Sequence, residues 1–80
     1  MTEDIYVKND ETIKIGSNIR RLRIAKGLKP GELVREVNLR GISMTIFSLS
    51  KIEANTQHVK ASQLKAIKEI LECSYDELFE

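Results

Sequence analysis

Apolar residues recur at helical spacing in short, separated runs along this chain, and that pattern restricts it to a small all-α fold. Ile15, Ile19 and Leu22 fall at i, i+4 and i+7, Leu33, Val34 and Val37 form a second stripe, and Leu49 and Ile52 a third. Leu64, Ile67 and Leu71 make a fourth, widened by Ile70. Start and stop signals divide the runs. Gly27 stands where a left-handed residue would end a first helix from Ile13 to Lys26, for which Asp10 to Thr12 offer capping groups. Pro30 suits the first position of a second helix reaching Val37, because its missing N–H costs nothing there and its fixed φ matches the start. Gly31 is a weak point in that first turn. Thr45 can accept the backbone N–H of Phe47 or Ser48 and so caps a third helix that ends at Glu53. Asn55 tolerates the left-handed conformation that would close it. A fourth helix is expected over Ala61 to Glu72, and Ser74 with Glu77 three residues later forms a capping box for a short fifth one carrying Leu78 and Phe79.

Between these elements, Leu39, Ile42 and Met44 read as loop residues that plug the core, and Val59 turns the chain back onto it. Residues 1–11 show no helical period and form an acidic, flexible N-terminal arm; Ile5, Tyr6 and Val7 have strand character but no sheet to join. The remaining residues, 12–80, are one domain, since 80 residues leave no room for a second.

What stabilises such a domain must be packing. Cys73 is the single cysteine, no Cys or His pair has metal-ligand spacing, and so neither disulfide, zinc nor other cofactor is expected. Cys73 reads as a core thiol and His58 as an exposed loop residue. The longest apolar runs span only a few residues and the N-terminus is acidic, which points away from a membrane or secretory segment and toward a cytoplasmic protein. No serine, histidine or carboxylate set has a spacing suggestive of catalysis, so an enzyme is not expected.

The charge of +1 conceals three blocks. Residues 13–60 carry ten Lys and Arg against Glu32, Glu36 and Glu53, a balance of +7, while residues 1–12 and 61–80 each stand at −3. Such a distribution suits a domain that meets a polyanion with one face. The third helix, if Leu49 and Ile52 face inward, leaves Ile46, Phe47, Ser50 and Lys51 outward.

At this point a family resemblance becomes specific. From Ile15 to Phe79 the chain resembles the Cro and phage-repressor (XRE) family of lambda-repressor-like DNA-binding domains, through IGSNIRRLRIAKGL at 15–28, GELV at 31–34, SLSKIE at 48–53 and LECSYDELF at 71–79. It implies a compact five-helix helix-turn-helix domain with helix 45–53 as the recognition helix. In that family the first-helix arginine, here Arg23, commonly pairs with the glutamate closing the recognition helix, here Glu53. Ile46, Phe47, Ser50 and Lys51 then occupy base-reading positions, and Arg20, Arg23, Lys29, Thr45, Gln57 and Lys60 are candidates for phosphates. The chain also departs from the pattern. The family usually presents polar or basic residues where Ile46 and Phe47 stand, a Thr-Gln pair where Lys29-Pro30 stands, a small alanine at Val34 and a small buried residue at Lys68, whose stem would pack while its ammonium reaches water.

Two functional readings follow from the resemblance. One is a sequence-specific, double-stranded DNA-binding transcriptional regulator, a repressor by expectation, acting as a homodimer through Tyr75, Leu78, Phe79 or the Ile5 to Val7 arm. Its Ile46 and Phe47 would pack on thymine methyl groups. The alternative is a protein-interaction module of the same fold, an anti-regulator or antitoxin-like partner, in which Ile46 and Phe47 form the partner patch or Phe47 folds into the core.

Overall fold

The structure, a computed structural model, describes Tyr6–Val7 and residues 14–80. Five helices and one minimal two-stranded sheet succeed one another: β1 (Tyr6–Val7), α1 (Ile15–Ala25), α2 (Pro30–Leu39), α3 (Ile46–Glu53), β2 (Val59–Lys60), α4 (Ala61–Leu71) and α5 (Tyr75–Leu78). Each helix buries the apolar stripe of its own sequence. Ile15 and Ile19 of α1, Leu33, Val34 and Val37 of α2, Leu49 and Ile52 of α3, Leu64, Ala66, Ile67 and Leu71 of α4, and Leu78 of α5 form one core with Met44 and Val59. Helix α3 packs on α1 and α2, α4 on α2 and α1, and α5 on α1.

Several boundaries differ from the sequence reading. Helix α1 begins at Ile15 with Lys14 as its N-cap, which makes no side-chain capping bond; the proposed caps at Asp10 to Thr12, and Ile13, lie outside the described residues. Gly27 does take a positive φ of 78° after the helix. Pro30 opens α2, but the helix continues to Leu39. Leu39 is consequently no core plug. Two residues past Val37, it is rotated about 200° from the buried stripe and is 70% exposed. Ile42 is half-buried and Met44 buried in the loop, which Asn38 closes by accepting the Met44 N–H at 3.0 Å.

Helix α4 stops at Leu71, and Glu72 takes the left-handed conformation at φ 53°. Ser74 caps α5 by accepting the Glu77 N–H at 3.1 Å, while Glu77 accepts the Ser74 N–H at 3.0 Å. Leu78 is fully buried within its own chain, which removes it from the candidate dimer surface. The N-terminal segment also needs correction. A sheet does exist for it: β1 pairs antiparallel with β2, Tyr6 opposite Lys60 and Val7 opposite Val59. Ile5 lies outside the described residues. No helix among the described residues is long and apolar enough to cross a membrane.

Candidate nucleic-acid interface

Helix α3 is fixed at its start by a reciprocal cap. Thr45 is extended, at φ −118° and ψ 161°, and its hydroxyl accepts the Ser48 N–H at 3.0 Å. The Ser48 hydroxyl in turn accepts the Thr45 N–H at 3.1 Å and donates to the Thr45 carbonyl at 3.0 Å. With Leu49 and Ile52 buried, the opposite face turns outward: Ile46 is 53% and Phe47 82% exposed, and Ser50 and Lys51 are exposed beside them. Phe47 therefore does not fold into the core. Ile46 leans toward the head of α2, where its Cδ1 lies 3.7 Å from the place a Cβ on Gly31 would occupy.

Three contacts hold the inner side of α3 and its exit loop to α1. Arg23 donates from Nε and Nη2 to the two Glu53 oxygens at 2.8 and 3.0 Å, a bidentate pair with about nine-tenths of each side chain buried. Its Nη1 donates to the Leu28 carbonyl at 2.8 Å, tying in the α1–α2 turn as well. The hydrogen bonds to Glu53 raise the Arg23 pKa above its ordinary value, against the opposing effect of burial, so the guanidinium is charged at every working pH. A buried, fully engaged arginine belongs to the scaffold, and Arg23 is withdrawn from the phosphate candidates. Breaking such a pair from one side leaves an uncompensated buried charge, which costs about 3–5 kcal/mol.

The second contact is a backbone crossing. A Cβ on Gly16 would stand 1.7 Å from the Ile52 carbonyl oxygen, so only glycine permits α1 and α3 to approach this closely. The third follows the helix. Asn55, at φ 61°, accepts the Ser17 N–H at 3.3 Å and donates to the Ser17 hydroxyl at 2.7 Å. The Thr56 hydroxyl donates to the Lys51 carbonyl at 3.1 Å and finishes the C-terminal turn.

The basic side chains divide into two sets. Arg21 pairs with Glu80 at 3.4 Å, Arg40 with Glu69 at 3.7 Å, and Lys26 with Glu72, so acids from the last part of the chain neutralise bases of α1 and of the turns after α1 and α2. The Lys26 contact holds the exposed Glu72 carboxylate below its ordinary pKa, first by its hydrogen bond and then by its charge. Among the described residues Lys14, Arg20, Lys29, Arg35, Lys51 and Lys65 are exposed and have no acidic partner. Lys29 precedes α2. Arg35 lies one turn beyond Gly31, on the strip of α2 that meets Ile46, and Glu32 and Glu36 point elsewhere around the helix. Sequence reasoning had not singled out Arg35, because its relevance depends on which strip of α2 meets α3.

The loop candidates are placed differently. Gln57 and Lys60 are half-buried, and the Lys60 backbone N–H donates to Gln63 Oε1 at 3.1 Å. Gln63, itself buried, donates from Nε2 to the Ser43 carbonyl at 3.0 Å and bridges the α2–α3 loop to the head of α4. His58 is exposed. Cys73 is half-buried against the core, where desolvation pushes its thiol pKa up.

This arrangement is an all-α, five-helix helix-turn-helix fold. Among solved structures it is similar to a mutant of the restriction-modification controller protein C.Esp1396I, with a TM-score of 0.70 over 90% of each chain and 22% sequence identity, a likeness of fold. No protein-family model matches the chain. No curated protein sequence matches it either.

Proposed function

We propose that the protein is a sequence-specific, double-stranded DNA-binding transcriptional regulator that places α3 in the major groove. The observation that carries this reading is the outward face of α3, rigidly anchored from behind and flanked by basic side chains that no acid neutralises. Lys51 and Ser50 offer hydrogen-bonding groups one turn along from Ile46 and Phe47, while Lys29, Arg35, Arg20 and the free proton of the Thr45 hydroxyl suit phosphates. The controller-protein description of its structural neighbour supports a regulatory role.

Repression is the simplest mode, since a small domain seated in the major groove excludes other proteins from the same site. One copy reads few base pairs, so a homodimer on a two-fold pair of half-sites is part of the proposal. Tyr75 and Phe79 are its candidate surface: 43% and 37% exposed, with ring centroids 6.4 Å apart and the Lys68 ammonium 5.0 Å from the Tyr75 centroid. The competing reading, a protein-binding module, is favoured by one observation, the apolar Ile46 and Phe47 on the outer face.

Selection of bound duplexes from a random DNA pool tests the proposal, with Lys51→Ala run beside the unaltered protein. A palindromic motif whose enrichment weakens in the variant is the expected result. A folded protein that enriches no duplex refutes it.

A further inference from the structure

We propose that Ile46 and Phe47 are readers of thymine, recognising the C5-methyl groups of neighbouring bases in each half-site; the inference rests on α3 being the DNA-reading helix. The two side chains that the first turn of α3 presents outward, Ile46 and Phe47, carry no hydrogen-bonding group. The Ser48 hydroxyl is engaged by the Thr45 N–H and carbonyl, and the Thr45 hydroxyl, which accepts the Ser48 N–H, keeps only its proton, suited to a phosphate. What this turn presents outward is hydrocarbon, at 53% and 82% exposure. The major-groove edge of unmodified DNA offers a single apolar group to such a surface, the methyl of thymine.

Two further features fit this occupant. Ile46 lies over Gly31 at the head of α2, its Cδ1 3.7 Å from the position of an absent Cβ, so the apolar surface of α3 continues onto backbone that carries no side chain. Exposed bases also stand along the elements that carry or meet the apolar pair, Lys51 one turn beyond Phe47 on α3, Arg35 one turn beyond Gly31 on α2 and Lys29 just ahead of α2, a charge complementary to the phosphates on either side of a groove. Ile46 and Phe47 thus bias the front of each half-site toward thymine, and Lys51, farther along the same face, provides the hydrogen-bonding contact.

Replacing thymine by deoxyuridine removes the methyl and leaves every hydrogen-bonding group in place. On a duplex recovered by selection, each thymine is replaced in turn, and affinity is measured for the unaltered protein, Ile46→Ala and Phe47→Ala. Both side chains are exposed, so unchanged thermal melting of the variants verifies their folding. The expected result is an affinity loss of about fourfold at one or two positions per half-site, the value of one buried methyl-sized group. That loss should vanish in the variant lacking the corresponding side chain.

Other outcomes separate the claims. Sequence-specific binding that is indifferent to deoxyuridine everywhere overturns thymine reading and leaves DNA recognition standing. A methyl effect that survives in both variants shows that other residues are the readers. If no duplex is enriched, both readings fall and the apolar pair belongs to a protein partner.

Discussion

Gly16 is the residue on which the position of α3 depends most sharply. Its hydrogen atom faces the Ile52 carbonyl across the α1–α3 crossing, and a methyl group there would overlap a backbone oxygen that cannot rotate away. The Gly16→Ala variant is expected to lose about 3 kcal/mol or more, a large share of the roughly 5–15 kcal/mol available to a small domain. Its urea midpoint should fall accordingly, and an unchanged midpoint would show that the helices separate at little cost. The sequence alone does not single out this glycine. Inside a helical pattern it reads as a mild liability, and its necessity arises from a backbone more than thirty residues away.

The elements were largely legible because each carries its own signals: the apolar stripes, Pro30 at the head of α2, the Thr45 and Ser74 caps, and Gly27 and Asn55 beyond helix ends. What escaped was non-local. The pairing of Tyr6 with Lys60 joins distant segments through two-residue strands, too short for any periodicity to register. Leu39 was misplaced because α2 runs one half-turn longer than its buried stripe. The outward face of α3 was legible from Leu49 and Ile52, whereas the contribution of Arg35 needed the α2–α3 packing. Asn55 shows how one residue serves both scales, since it closes α3 and holds the exit loop to Ser17. Asn55→Gly keeps the left-handed backbone and loses the hydrogen bonds, for a cost of about 1 kcal/mol. Asn55→Ala also meets the steric penalty of positive φ, about 1–2 kcal/mol more. Thermal denaturation should therefore rank asparagine above glycine above alanine, and alanine equal to or above glycine would contradict the role assigned to the backbone.

At the scale of the whole molecule, folding sorts the charge blocks of the sequence. Glu69, Glu72 and Glu80 from the acidic end fold back onto Arg40, Lys26 and Arg21. These exposed pairs contribute little stability; their effect is to cancel the positive charge of Arg21, Lys26 and Arg40. Arg20, Lys29, Arg35 and Lys51 keep their charge without an acidic partner on or beside α1, α2 and α3, as do Lys14 ahead of α1 and Lys65 on α4. If Arg20, Lys29 and Arg35 meet phosphates, duplex affinity must carry their electrostatic signature.

The most direct measurement is the affinity for a selected duplex across a series of salt concentrations. Three neutralised phosphates per protomer predict a slope of log affinity against log salt of about −3, and about twice that for a two-fold pair. The Lys51→Ala and Arg35→Ala variants should bind more weakly, and a side chain on a phosphate should flatten the slope by about one unit per protomer when removed. A slope near zero from the folded, unaltered protein would contradict the assignment of this face to DNA.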